Sequence, residues 1–245
     1  MLTIIVPNYF DYDRVNFVIE EYNTINFHLV HLIVVDAGNE SESCGKIKTL
    51  CNDKIQVFYG LSSGVYDAFN FGIAQVKTKY YMVLGVDDIF NFNKLDLIIN
   101  VLKYTDYDLL FLGIIKSGIV SNSLKIDSIL SGPQGVFPSH TGGTIINKNL
   151  HDKYGLYSNN YKVLADSFFI SQCLMDKNIK FGLLSEIFCL VGDQGFSKRK
   201  ELLSECEAFL IRNKLGQIFV ISYCLFFIRS SKRIVKNILR FFHLR

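Results

Sequence analysis

Continuous apolar runs at Leu2–Val6, Leu29–Val35, Ile55–Tyr59, Tyr80–Val86 and Asp108–Ile115 punctuate the first half of the chain. They are rich in Ile and Val and do not alternate with polar residues, which is the pattern of strands covered on both faces. The segments between them carry apolar residues at helical spacing: Val15, Val18, Ile19 and Tyr22 within Asp11–Thr24; Val65, Ala68, Phe69, Gly72, Ile73 and Val76 within Gly64–Val76; Leu95, Ile98, Ile99 and Leu102 within Lys94–Tyr104. Strand alternating with helix predicts an α/β fold, a mostly parallel, doubly wound central sheet flanked by helices. In such a sheet ligands bind beyond the carboxyl ends of the strands.

Polar residues gather at those ends: Pro7-Asn8, Asp36-Ala37-Gly38-Asn39, Ser62-Ser63-Gly64 and Asp87-Asp88. Each alone is ordinary turn chemistry, but their recurrence points to one shared crevice. Asp87 and Asp88 are adjacent carboxylates that repel unless a cation or a hydrogen-bond network compensates them. Mg²⁺ or Mn²⁺ would do so while accepting phosphate oxygens; the alternative is a helix cap ahead of Asn91–Tyr104. Neither GxGxxG after the first strand nor GxxxxGK[ST] anywhere is present, so a nucleotide would have to be held by other means. Asp36 stands where a carboxylate accepts from a base or ribose, or forms an Asx turn.

Composition adds a polarity along the chain. With 245 residues and 49% hydrophobic content, one main domain is expected, and 3 Pro among 20% charged residues leave no linker-like stretch. No acidic residue follows Glu207, whereas Arg212, Lys214, Arg229, Lys232, Arg233, Lys236, Arg240 and Arg245 do, so the chain's +3 divides into a mildly acidic body and a basic tail. The basic tail suits an anionic surface, nucleic acid or a cytoplasmic membrane leaflet, while the body is not basic, which argues against a nucleic-acid enzyme. Ile218–Ile228 is too short to span a bilayer. From Arg229 onwards basic residues alternate with Ile234, Val235, Ile238, Leu239, Phe241 and Phe242, as in a helix lying in the membrane interface or one packed on the domain with a solvated basic face. The six cysteines, Cys44, Cys51, Cys173, Cys189, Cys206 and Cys224, form no CxxC pair and read as core residues of a reducing compartment. The N-terminus opens directly into a strand with no signal-peptide pattern, which fits a cytoplasmic location.

The stretches Ile4-Ile5-Val6-Pro7-Asn8-Tyr9, Ile33-Val34-Val35-Asp36-Ala37-Gly38-Asn39, Ser63-Gly64-Val65-Tyr66-Asp67-Ala68-Phe69-Asn70-Phe71-Gly72-Ile73 and Leu84-Gly85-Val86-Asp87-Asp88 together resemble the ordered motifs of family 2 glycosyltransferases. The resemblance continues through Pro138-Ser139-His140 and Tyr154-Gly155 to Leu164-Ala165-Asp166 and covers roughly residues 1–195. It implies a GT-A, Rossmann-like fold. It also implies that Pro7, Asn8 and Asp36 hold the uridine of a UDP-sugar, that Asp87 lies near the ribose and diphosphate, that Asp88 ligates Mn²⁺ or Mg²⁺, and that Gly64, Asp67 and Asn70 line the donor side. Three features depart from the family pattern: Ser62-Ser63 where many relatives carry Asp-Lys, Val86 before the aspartate pair, and Val191–Ser197 in place of a later glycine/serine segment.

Inverting transfer needs a base for the acceptor hydroxyl. Asp166 is the candidate, ahead of an apolar helix at Ser167–Asp176, with an N-cap as its structural alternative. His140 is the second candidate, for proton transfer or sugar positioning, or else a packing residue. The expected organisation is a glycosyltransferase domain at 1–210, with a nucleotide-sugar half at 1–115 and an acceptor half at 116–210, followed by a membrane-associating helical tail at 211–245. The expected reaction moves a hexose to a lipid-linked (undecaprenyl diphosphate) sugar in surface-polysaccharide synthesis. A metal-dependent nucleotidyltransferase and a non-catalytic nucleotide-sugar-binding protein are the alternatives.

Overall fold

Alternation along strand β1 (Leu2–Asn8) sorts the core into two layers, because successive side chains leave opposite faces of a sheet. Leu2, Ile4 and Val6 enter one apolar cluster, while Ile5 enters the other. The structure is a computed structural model that describes residues 1–25, 28–43, 45–47, 54–60, 63–122, 124–126, 136–138, 140–192 and 200–243, with backbone alone at 125–126, 136–138 and 236–243. Ser62, Ser139, Cys44, Cys51, Arg245 and the stretch 193–199 therefore lie outside the described residues.

Helix α1 (Tyr12–Asn23) follows β1, capped by Asp11, whose side chain accepts from the Arg14 N–H. Strand β2 (Val30–Asp36), the single turn α2 (Glu40–Ser43), β3 (Ile55–Phe58), α3 (Val65–Gln75) and β4 (Tyr80–Val83) complete a parallel unit in the order β3-β2-β1-β4. The apolar residues expected at helical spacing in α1 pack into the first cluster, and those of α3 into the second. A helix thus covers each face of the parallel strands.

Beyond β4 come β5 (Ile89–Phe90), α4 (Leu95–Tyr104), β6 (Leu109–Lys116), β7 (Ile119–Asn122), and the pair β8 (Leu124–Ile126) and β9 (Val136–Pro138). Then follow β10 (Thr144–Asn147), α5 (Leu150–Tyr154), α6 (Ala165–Met175), β11 (Phe181–Val191), α7 (Glu201–Lys214) and α8 (Phe219–His243). β10 inserts antiparallel between β4 and β6, and β5 and β7 run antiparallel to β11 and β6. The remaining strands of the main sheet share one direction, so the sheet is mostly parallel, as expected. The observed strands and helices match the apolar runs to within three residues. β4 ends earliest relative to its run, because the chain turns where the Asp88 N–H meets the Gly85 carbonyl.

The expected C-terminal helix is present, and it packs on the helix before it. α7 runs straight through the boundary drawn at 210/211, and Ile211 is buried in the second cluster. α8 lies along α7: the Arg233 guanidinium donates twice to Glu205 Oε1, at 2.9 and 2.6 Å, and stands 3.0 Å from Glu201. Phe209 packs its ring on Phe219 and Phe226. Two residues counted as tail charge are therefore internal, since Arg233 is paired and Arg212 is buried. Val220, Tyr223, Phe227 and Ile234 remain on the exposed side of α8. No helix among the described residues is long and apolar enough to cross a membrane. Cys173 and Cys189 are buried as expected; Cys206 and Cys224 are instead exposed, on the outward faces of this helix pair.

Candidate active site

The two strands that flank β1 each end in a buried aspartate. At the end of β2, Asp36 sits in register with Asn8 and is fully buried. Asn8 Nδ2 donates to Asp36 Oδ1 at 2.7 Å, and the Ser43 hydroxyl donates to Oδ2. Tyr12 Oη lies 3.1 Å from that hydroxyl, and Asn8 Oδ1 accepts from the Asp11 N–H at 3.1 Å. Both carboxylate oxygens are thus engaged within the protein, each by one side-chain donor. Pro7 is half-buried beside this knot. Tyr9 and Phe10, which the sequence reading left out of the site, stand exposed at its mouth with ring centroids 5.0 Å apart.

The second aspartate is Asp88, in the turn after β4. It is 5% exposed, and it accepts the Gly192 N–H on Oδ1 at 3.0 Å and the Gly85 N–H on Oδ2 at 3.2 Å. Burial pushes its carboxyl up to about 7; the two backbone N–H groups act against that rise, and the neighbouring Asp87 charge adds to it. The helix-cap alternative is not what forms, because β5 and a 3₁₀ turn at Phe92–Lys94 separate the pair from α4, whose cap is Lys94. Glycines let the surrounding backbone close in: a Cβ at Gly142 would come within 2.8 Å of Asp88 Oδ2, and one at Gly192 within 2.5 Å of Asp87 Oδ2. Gly192 belongs to the segment that the sequence marked as a departure.

His140 caps the 3₁₀ turn Thr141–Gly143 by accepting the Gly142 N–H on Nδ1 at 3.1 Å. That bond assigns the proton of the neutral ring to Nε2, which faces Asp88 Oδ1 at 3.8 Å, beyond hydrogen-bonding reach. Burial, with the positive charge of Lys116, holds His140 down at about 4, so the ring is neutral at neutral pH. Lys116 closes β6 in register with Val191, one residue from Gly192, and its charge also favours ionised Asp88. The sequence reading missed Lys116 because it closes an apolar strand.

Asp166 lies inside the first turn of α6, not ahead of it, and the N-cap position is Leu164. Its Oδ1 accepts from Tyr66 Oη at 2.7 Å, and burial raises its carboxyl above the ordinary range while the Tyr66 bond opposes the rise. The other donor-side candidates act on the backbone. Asn70 brackets Tyr157, donating to its carbonyl at 2.9 Å and accepting its N–H at 3.0 Å; Asp67 accepts from Asn159 at 3.0 Å. Gly64, with φ 155°, opens α3 without a side-chain cap. Asn70 and Asp67 fasten α3 to the loop that leads into α6.

No group of three His, Cys, Asp or Glu side chains that could hold a metal occurs among the described residues. The residues present still fit a hard divalent cation. Such ions take one or two carboxylates and complete their shell with water and phosphate oxygens, and Asp87 with Asp88 supply two carboxylates, the latter under-compensated for its burial. The His140 tautomer leaves no lone pair on Nε2 for the ion.

A parallel four-strand half, an aspartate pair in the turn after β4 and a buried carboxyl at the start of α6 fit a GT-A type fold. The family model described as Glycosyl transferase family 2 matches residues 3–168, and the chain belongs to that family. An uncharacterized glycosyltransferase of Rickettsia typhi is 29% identical over 106 residues, covering 43% of this chain and 33% of that relative. One from Rickettsia prowazekii is 30% identical with the same 43% and 33% shares. The chain spans a third or less of the length of the curated relatives it matches. Among solved structures, S. aureus TarS 1–349 superposes with a TM-score of 0.60 at 13% identity, over 95% of this chain and 71% of that one. Mannosyltransferase PcManGT from Pyrobaculum calidifontis, in complex with GDP-Man and Mn²⁺, gives 0.60 at 9% identity, over 94% and 68%. Glucosyl-3-phosphoglycerate synthase from Mycobacterium tuberculosis, in complex with Mn²⁺, UDP and glucosyl-3-phosphoglycerate, gives 0.60 at 11%, over 89% and 81%. At these identities the likeness is one of fold.

Proposed function

We propose that this chain is an inverting hexosyltransferase that takes its sugar from a UDP-sugar and delivers it to a hydroxyl of a lipid-linked, undecaprenyl diphosphate sugar in surface-polysaccharide assembly. The observation that carries the reading is the buried, under-compensated Asp88 beside Asp87, with His140 3.8 Å from Asp88 and within electrostatic reach of Asp166. A bound Mn²⁺ or Mg²⁺ would supply positive charge to the departing diphosphate. Asp87 and Asp88 hold that ion, the β1 and β2 ends receive the uridine, and Asp166 takes the proton from the acceptor hydroxyl. His140, neutral and 3.8 Å from Asp88, positions the sugar beside the metal-side carboxylate instead of exchanging protons.

UDP as the nucleotide is supported by the UDP and UDP-GlcNAc complexes of TarS and by the synthase complex; the Mn²⁺ complexes support the metal. The exposed apolar row of α8, with the basic residues on the same helix, supports docking at the inner face of the cell membrane, where such an acceptor resides. Residues 1–115 serve the donor and 116–210 the acceptor.

The test is transfer by purified protein with Mn²⁺, a panel of UDP-sugars and a diphosphate-lipid sugar acceptor. The expected result is a product of inverted anomeric configuration, lost in Asp88→Ala and Asp166→Asn. Metal-dependent UDP binding without transfer from any donor would make the chain a binding protein instead.

A further inference from the structure

The N-cap residue of helix α6, Leu164, has no side chain able to accept a hydrogen bond. The turn that leads into the helix is instead held from a distance by Glu207. Reaching across from α7, its buried carboxylate accepts the N–H groups of Lys162 at 2.7 Å, Val163 at 2.9 Å and Leu164 at 2.9 Å. A negative charge at that end also suits the helix dipole. The backbone Glu207 holds is the strip that carries Asp166 into the crevice two residues later.

Tyr66 holds the same strip from the opposite side. Its hydroxyl lies 2.6 Å from the Val163 carbonyl and 2.7 Å from Asp166 Oδ1, two acceptors for one proton. That excess of acceptors is useful to a group that changes protonation state. With Asp166 ionised, Tyr66 donates to its carboxylate. Once Asp166 has taken a proton, its O–H donates to Tyr66 Oη, and the phenol proton turns to the Val163 carbonyl. Each proton of the pair has an acceptor in both states, and one proton has been gained in total.

We propose that Tyr66 and Glu207 are positioning residues for Asp166, with Glu207 locking the backbone that presents it and Tyr66 serving its carboxyl both as carboxylate and as acid. The inference rests on the reading of Asp166 as the base. It makes α7 part of the catalytic unit and joins it to α8, because the same helix that supplies Glu207 is clamped by Arg233 through Glu201 and Glu205.

The titratable groups facing Asp166 are Tyr66 from α3, His140 from the loop after β9, Tyr157 from the loop before α6 and Tyr81 from β4. Burial drives all three phenols upwards and His140 downwards, so none of them changes charge near neutral pH. Saturating Mn²⁺ and donor keep Asp88 ionised. The acid limb of the kcat profile then reports Asp166.

The test measures kcat against pH, and UDP affinity, for the intact protein, Tyr66→Phe, Glu207→Gln and Asp166→Asn. Tyr66→Phe removes a hydrogen bond to the ionised form, so its acid limb moves to higher pH by about one unit and kcat near neutrality falls ~10-fold, with UDP affinity unchanged. Glu207→Gln places an amide N–H₂ against backbone donors and lowers kcat ~10- to 100-fold at every pH, again with UDP affinity intact. Active Asp166→Asn would remove the base reading itself. Inactive Asp166→Asn together with an unmoved acid limb in Tyr66→Phe, or with full kcat in Glu207→Gln, would overturn the positioning roles alone. If Glu207→Gln fails to fold, the acid limb of Tyr66→Phe decides.

Discussion

Asp36 ends β2 and Asp88 lies in the turn after β4, the two strands that flank β1, and the protein treats them in opposite ways. Asp36 has a dedicated donor for each oxygen, Asn8 on one side and Ser43 on the other, and no exposed surface. Asp88 is almost as deeply buried, but among the described residues its carboxylate accepts only two backbone N–H groups, and its carboxyl is pushed up to about 7. One aspartate has side-chain donors on both oxygens in the free protein. The other is compensated only in part by its two N–H groups and by the charge of Lys116, and a cation would add to that compensation. Equal burial at equivalent strand ends therefore separates a fold-building carboxylate from a ligand-seeking one, by the donors around each.

The largest effect expected from that contrast is on turnover. Asp88→Ala should lower transfer by about 10³-fold or more, since it removes the carboxylate that holds the diphosphate's counter-ion, yet leave the thermal unfolding of metal-free protein at pH 8 nearly unchanged. Asp36→Ala should do the reverse in stability, costing about 3 kcal/mol in denaturant unfolding by orphaning Asn8 Nδ2 and the Ser43 hydroxyl. Equal destabilisation by the two substitutions would erase the distinction.

The next effect is on metal affinity. A cation must displace the Asp88 proton below the group's pKa of about 7, so Mn²⁺ affinity should fall about tenfold per pH unit below that point and level off above it. In metal-free protein the sign is also set: an acid raised in the folded state stabilises while protonated. Its contribution is full below the unfolded value of 3.8 and is lost as pH climbs to about 7. Titrating Mn²⁺ at several pH values checks the first statement, and a flat affinity from pH 5 to 8 would contradict it. The smallest effect is at the helix pair. Arg233→Ala should lower stability by about 1 kcal/mol, read by denaturant unfolding, because this ion pair is only partly shielded from water.

Much of the donor half was legible in the sequence. Its strands are covered on both faces, so Ile4-Ile5-Val6 and Ile33-Val34-Val35 read as continuous apolar runs, and the turns beyond them had to hold Asn8, Asp36 and Asp88. The acceptor half was less legible. β10 is four residues long and antiparallel, too short for a periodic signal, yet it joins the two halves of the sheet. Glu207 looked like one more polar residue on an exposed helix, and nothing local in Glu201–Lys214 announces a partner more than forty residues away. Tyr66 read as part of a motif and as core, and it is core, with its hydroxyl delivered to Asp166. Arg212 and Arg233 were counted as tail charge because sequence spacing does not show that α8 folds back along α7.

The most direct test of the contrast is calorimetric titration of UDP onto the intact protein, Asp88→Ala and Asp36→Asn, each with and without Mn²⁺. The expected result is that Mn²⁺ tightens UDP binding at least ~10-fold in the intact protein and in folded Asp36→Asn, and has no effect in Asp88→Ala. UDP binding indifferent to Mn²⁺ in the intact protein, or a full Mn²⁺ response surviving in Asp88→Ala, would contradict the assignment of Asp88 as the carboxylate that completes itself with the metal.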